Sequence, residues 1–176
     1  STIVVGETAL AGRKVFVYAG NMGVAQGMGI LLDLAERLRG REDVGFLFVG
    51  RGSDAQRLRD DARARGLGNV VFRDEIHPDE IPNLYAQCHI GLVALDPRHR
   101  THNIPGKFLT YMQSGLPVLA SVNAGNDLVG LIEQERVGRA VTDASAASLA
   151  RAAVELVDAV LADDGFAERC RGLAAR

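Results

Sequence analysis

The sequence predicts an α/β fold: a doubly wound, parallel, six-stranded Rossmann-like sheet with helices on both faces. Three observations predict it. Short apolar runs alternate along the whole chain with stretches of helical periodicity. Those runs are continuously apolar, as in strands buried on both faces, and do not alternate with polar residues. Glycines, 20 in all, recur where a run ends and a helix begins, which is where a tight βα turn needs them. Six such runs joined by right-handed crossovers suit the strand order 3-2-1-4-5-6.

The first strand is Val15-Phe16-Val17-Tyr18-Ala19, ended by Gly20. Ile30, Leu31, Leu34, Ala35 and Leu38 then share one helix face. Residues 44–49 form the second strand, closed by Gly50-Arg51-Gly52. Ser53 or Asp54 can cap the next helix, which runs to about Arg65 and stops at Gly66. Val70-Val71-Phe72 is the third strand, residues 79–87 a short helix and residues 90–95 the fourth strand. Pro105 suits the first turn of a helix that Gly115 ends, and Pro117 opens the strand Val118-Leu119-Ala120. Residues 127–133 form a short helix and Gly138-Arg139-Ala140-Val141 the sixth strand. A long helix runs from Ser145 or Ala146 to Leu161, with Leu149, Ala152, Ala153, Leu156, Val157 and Val160 inside.

No repeat, low-complexity tract or linker interrupts this pattern, so residues 1–176 read as one domain with a single core. A net charge of -2 gives no global electrostatic case for nucleic acid. The two cysteines, Cys88 and Cys170, form no C-x-x-C pair and no disulfide framework. Cys88 is read as a small core residue. No apolar stretch reaches membrane-spanning length and no signal peptide opens the chain, so a reducing cytoplasm is expected. The opening Ser1-Thr2-Ile3 lacks Met, and the alanine- and arginine-rich end stops without a cap. A piece of a longer protein is therefore expected.

In the 3-2-1-4-5-6 order, ligands bind outside the carboxyl ends of the strands, where the order reverses between the first and fourth. Residues 20–27 and 96–104 are the loops at that crevice. The second leads directly into Pro105-Gly106-Lys107. A helix start has unpaired N–H groups and the positive end of the dipole, and Lys107 adds a cation. The combination suits a phosphate. By itself it reads equally well as an ordinary loop and helix with a surface lysine. Its place at the crevice favours the functional reading. Gly20-Asn21-Met22-Gly23-Val24-Ala25-Gln26-Gly27 can bring backbone close to an anion or sugar, or can be a plain turn.

Other patterns compete. Gly50-Arg51-Gly52-Ser53-Asp54-Ala55 matches G-x-G-x-x-A, and Asp74 and Glu75 follow at a spacing suited to a ribose carboxylate. A whole βα unit precedes it, so an NAD-binding Rossmann domain stays the minor alternative. The polar loop from Asp96 to Asn103 could hold a phosphate or sugar, or be solvated. His99 and His102 are three apart but are not read as a metal set, and His77 and His89 are scattered. There is no D-x-D, and Ser114 and Ser121 have no histidine–acid partners for a hydrolase triad.

Taken together, the chain resembles the carboxyl-terminal, donor-binding domain of family 4 retaining glycosyltransferases, which have the two-domain GT-B fold. The resemblance rests on Gly20-Asn21-Met22-Gly23-x-x-Gln26-Gly27, Phe48-Val49-Gly50-x-Gly52, Asn69-Val70-Val71-Phe72, Ile81-x-x-Leu84-Tyr85 and Gly91-Leu92-Val93. Its most specific part is the run from Ile104 to Val118, which is similar to the family's I-P-S-K-x-x-E-Y-M-A-x-G-x-P-V. The subgroup with G-N-x-G-x-A-Q-G resembles bacterial enzymes that add N-acetylated amino sugars of the fucosamine type to lipid-linked surface polysaccharide precursors.

This resemblance implies the donor-binding half of an enzyme that moves a sugar from a nucleotide diphosphate, UDP-linked, to a lipid-linked or saccharide acceptor with retention. It implies no cofactor and no metal. The amino-terminal acceptor domain would lie outside this chain, leaving the fragment inactive by itself. The full-length protein would be cytoplasmic, peripheral at the inner membrane. The donor residues carried over are Gly20, Asn21, Gly23, Arg51, Glu75, His102, Asn103, Gly106, Lys107 and Thr110, with the base near residues 73–76. No catalytic residue is assigned. The family's E-x7-E falls on His102 and Thr110, and its diphosphate arginine and lysine fall near Asn21 and Gln26. Lys107 is left as the main cation. The lost carboxylates favour a non-catalytic nucleotide-sugar-binding module as the alternative.

Overall fold

A computed structural model describes residues 2–96, 98 and 102–176. Pro97, His99, Arg100 and Thr101, and with them the His99 half of the loop's histidine pair, lie outside the described residues. Six parallel strands form one sheet in the order β3-β2-β1-β4-β5-β6. They are β1 (Lys14–Ala19), β2 (Val44–Val49), β3 (Val70–Arg73), β4 (Ile90–Ala94), β5 (Val118–Ser121) and β6 (Gly138–Val141). The helices between and after them are α1 (Gly29–Arg37), α2 (Ala55–Ala64), α3 (Ile81–Ala86), α4 (Gly106–Gln113), α5 (Asp127–Glu135), α6 (Ala146–Ala162) and α7 (Phe166–Ala174).

Successive strand residues point to opposite faces, so each strand feeds two cores. Phe16 and Tyr18 pack with Leu31 and Leu34 of α1, Leu58 of α2 and Leu149 and Leu156 of α6. Val15 and Val17 pack on the other face with Leu84 of α3, Phe108, Tyr111 and Met112 of α4, Leu128 of α5 and Cys170 of α7. Burial on both faces is why the strands read as unbroken apolar runs. Cys88 is buried as expected, and burial pushes its thiol up to about 12.

Some local expectations needed correction. Pro105 is the residue before α4, with extended ψ of 140°, so Gly106 takes the first helical position. Asp54 precedes α2 but does not cap it, because its carboxylate is bound by Arg57. Residues 79–87 are not one helix: a 3-10 turn at Pro78–Glu80 precedes α3. The segment Phe166–Ala174, which the sequence marks only by an uncapped alanine- and arginine-rich end, is a full helix packed on α4.

The two halves of the sheet meet at a short seam. All six residues of β1 pair with β2, whereas β1 pairs with β4 only at Phe16–Ile90 and Val17–Gly91. Tyr111 of α4 fills the space at that seam. Its ring lies where a Cβ on Gly91 would come within 2.6 Å, which is why a glycine is needed there. Its hydroxyl lies 3.1 Å from the Val17 carbonyl oxygen and 2.9 Å from that of Leu92, one on each side of the seam. Beyond it β1 and β4 no longer pair with each other, and this strand order leaves a crevice at their carboxyl ends.

Candidate nucleotide-sugar site

A cleft of about 510 Å³ lies over the carboxyl ends of β1 and β2, with residues of α4, the helix after β4, in its wall. Gly20 and Asn21 line it from the loop after β1, Arg51 from the loop after β2, and Glu75 from the loop after β3. Lys107 and Thr110 reach it from α4, and Ile76, Pro78 and Tyr85 add an apolar wall. Six of the ten residues anticipated from sequence therefore meet in one place: Gly20, Asn21, Arg51, Glu75, Lys107 and Thr110.

Lys107 is partly buried, and burial lowers its pKa. It makes no ion pair or hydrogen bond with a described residue. Its Nζ instead rests 4.6 Å from the centroid of the Tyr18 ring. Tyr18 is fully buried, one residue from the end of β1, and its hydroxyl donates to the Asn21 carbonyl at 2.5 Å. Gly20 lies between them: a Cβ there would sit 3.3 Å from the ammonium. The absent side chain leaves the lysine room to extend across the end of β1.

The glycine loop is held by amides. Gln26 Oε1 accepts from the Gly23 N–H at 3.0 Å and lies 3.5 Å from Asn21 Nδ2. Gly23 faces this internal contact and is not among the described residues lining the cleft. At the far wall Arg51 Nε and Glu75 Oε2 form an exposed ion pair at 2.6 Å. Asp74 is bound elsewhere, by Arg59 at 3.0 Å on the solvent side.

His102, Asn103 and Gly106 are not described as cleft walls. His102 Nδ1 is 2.8 Å from the Gly125 carbonyl, so Nδ1 carries the hydrogen. The Asn103 carbonyl accepts from Asn126 Nδ2 at 2.8 Å. Both contacts tie the end of the polar loop to the β5–α5 turn. Gly106 opens α4 with free space around its Cα.

The G-x-G-x-x-A motif has a structural explanation. A Cβ on Gly50 would fall 2.0 Å from the Gly20 carbonyl, and one on Gly52 within 2.6 Å of the Met22 backbone. Met22 N–H donates to the Arg51 carbonyl and Asp54 N–H to the Met22 carbonyl, each at 2.9 Å. The space those glycines open is filled by the chain's own first loop. Among the described residues no group of three or more His, Cys, Asp or Glu could hold a metal ion.

Sequence reasoning missed Tyr18 and Tyr85. Tyr18 carries a hydroxyl within an otherwise apolar strand next to the glycine loop, and that was the available signal. Tyr85 belongs to the Ile81-x-x-Leu84-Tyr85 part of the family resemblance, but nothing in that pattern marks it as a wall of the cleft.

Residues 13–159 match the family of Glycosyl transferases group 1. The chain is 36% identical over 121 residues to the protein of Escherichia coli K12 named as the colanic acid biosynthesis glycosyl transferase WcaI, covering 69% of this chain and 30% of that protein. It is 23% identical over 158 residues to the glycosyltransferase-named WbjE of Pseudomonas aeruginosa, covering 90% of this chain and 39% of that one. The chain thus spans between 30% and 39% of the length of these relatives. In fold it is similar to Anabaena HepE, solved in complex with UDP-glucose, with a TM-score of 0.76 at 20% identity over 94% of this chain and 45% of that one. The match across most of its length shows that the chain belongs to the glycosyl transferases group 1 family.

Proposed function

We propose that this chain is the donor-binding half of a retaining glycosyltransferase that takes a UDP-linked sugar, an N-acetylated amino sugar by its G-N-x-G-x-A-Q-G loop. The acceptor, a lipid-linked or growing saccharide, and the general base belong to an amino-terminal domain outside this chain. The observation that carries the reading is Lys107: a partly buried cation with no ion pair among the described residues, in the cleft at the switch point. A diphosphate supplies the anion this arrangement lacks. UDP is favoured because HepE, which shares the fold, was solved with UDP-glucose.

In this reading Lys107 and the N-terminus of α4 stabilise the charge that develops on the leaving diphosphate. That is the term on which such transfers chiefly depend. Thr110, one turn further along α4, offers its hydroxyl to the ribose. The base lies against Ile76 and Tyr85, with the Arg51–Glu75 pair closing that end. No cofactor is required. No described helix is long and apolar enough to cross a membrane, and the whole protein is proposed to work in the cytoplasm at the inner membrane face. A non-catalytic nucleotide-sugar-binding module is the second reading, favoured by His102 and Thr110 where the family places carboxylates.

Calorimetry and an NMR titration test the donor reading. UDP or a UDP-sugar is expected to shift the amides of Gly20, Asn21, Gly106 and Lys107, in EDTA as well as without it. Binding that EDTA abolishes would overturn metal-free capture. Saturable NAD binding mapped to Gly50 and Gly52 would replace the reading with the dehydrogenase one. Donor binding by a full-length protein that never transfers sugar would favour the non-catalytic module.

A further inference from the structure

We propose that Tyr18 is the positioning residue of this site. Its ring is the surface on which the Lys107 ammonium rests before a diphosphate arrives, and its hydroxyl holds the glycine loop opposite. The proposal depends on the donor reading above, in which Lys107 grips the diphosphate.

A buried ammonium needs a negative counterpart. Removing it from water favours the neutral amine unless something negative faces it. Among the described residues, none that shares its surroundings is shown to pair with it as an anion. From the loop after β2 comes Arg51, and from the loop after β3 comes Glu75, already bound to Arg51 at 2.6 Å. From α3 comes Tyr85 and from α4 Thr110, both uncharged at neutral pH. Asp96, after β4, is bound by Arg98 at 2.8 Å. What faces Nζ is the Tyr18 ring at 4.6 Å, whose π face is the negative end of a quadrupole. A neutral counterpart has an advantage over a carboxylate here. It keeps the lysine charged and in place without competing as an anion for the diphosphate's position.

The same side chain fixes the opposite wall. The Tyr18 hydroxyl donates to the Asn21 carbonyl at 2.5 Å. That contact holds the Gly20–Asn21 backbone beside the ammonium, where a Cβ on Gly20 would sit 3.3 Å from Nζ. One buried residue therefore sets both the cation and the loop facing it, and neither relation needs ligand.

Three forms of the chain test this: wild type, Tyr18→Phe and Tyr18→Leu. In the wild type the Lys107 Hε protons, assigned by comparison with Lys107→Arg, are expected to be shifted upfield by the ring. Tyr18→Phe keeps that shift and Tyr18→Leu loses it. UDP affinity of Tyr18→Leu is expected to fall about tenfold, a cation–π-sized effect, while uridine affinity stays unchanged. Its UDP affinity should also decline from a lower pH, because the amine deprotonates more easily without the ring. Tyr18→Phe should retain the wild-type pH profile. A wild-type Lys107 without ring shift, an unchanged UDP affinity in Tyr18→Leu, or an equal loss of uridine and UDP each overturns the proposal. If Tyr18→Leu fails to fold, the ring shift and the pH profile of Tyr18→Phe against wild type still decide. A wild type that binds no UDP is a failure of the donor reading itself. A wild type that binds UDP with a variant that binds equally well is a failure of this inference alone.

Discussion

At the scale of the residue, chemistry is concentrated in side chains whose partners are incomplete or neutral. Lys107 is the clearest case. Lys107→Ala is expected to weaken UDP binding by roughly 10- to 100-fold, the worth of a charge-assisted bond, and to leave uridine unaffected. Equal losses would mean that the lysine acts through folding, and a circular dichroism melt separates the two. His89 gives a prediction on stability. Its Nδ1 accepts from the Val15 N–H at 2.9 Å, at the amino end of the β1–β4 seam, so the folded state holds the ring neutral. Burial, and secondarily Lys14, lower its pKa. As pH falls, the unfolded chain therefore takes up the proton first. The His89 contribution is complete above about pH 6.5, the unperturbed value, and is lost as pH falls through the lower folded value. Thermal melts from pH 7.5 to 5 should decline more steeply for wild type than for His89→Gln, whose side-chain carbonyl can accept the same bond without titrating. Parallel declines would refute the assignment.

At the scale of the element, α4 has two tasks, and its sequence separates them by one turn. Lys107 reaches into the cleft while Tyr111 bridges the seam between β1 and β4 through Val17 and Leu92. Tyr111→Phe keeps the ring over Gly91 but removes the donor from two strand carbonyls. It should cost about 1–3 kcal/mol, as for a buried bond lost on one side, read as a lower denaturant midpoint with an unchanged m-value. A loss under a few tenths of a kcal/mol would show that the hydroxyl is dispensable at the seam. The strands were legible in the sequence because burial on both faces leaves a continuous apolar run. Helix ends were less so. Asp54 has the right chemistry for a cap, yet a nearby Arg57 takes its carboxylate. Pro105 fits an N-terminus, and only backbone dihedrals distinguish the first helical residue from the one before it. The helix Phe166–Ala174 has a polar mean composition, and packing on α4 supports it more than its own pattern does.

At the scale of the whole molecule, strand order pointed to the candidate cleft before any side chain did, because a reversal between β1 and β4 leaves a crevice at their carboxyl ends. Lys107, Gly20 and Asn21 followed from that topology. Arg51 and Glu75 came from the family resemblance, but neither their ion pair nor the Tyr18 ring was legible, because contacts between separate βα loops have no fixed sequence spacing. The same geography predicts how a ligand acts on stability. The seam pairs only Phe16–Ile90 and Val17–Gly91, and a diphosphate nucleoside lying across the cleft would touch residues from both halves of the sheet. Unfolding must then release it. At ten times its dissociation constant a ligand specific to the folded state contributes about 1.4 kcal/mol. For a domain of this size that is roughly 3–6 °C in melting temperature. UDP should produce such a rise in scanning fluorimetry, NAD should produce none, and Lys107→Ala should remove most of the UDP effect. A UDP-induced rise that survives Lys107→Ala intact would place the nucleotide elsewhere on the chain. An equal rise with NAD would return the G-x-G-x-x-A loop to consideration as the binding element.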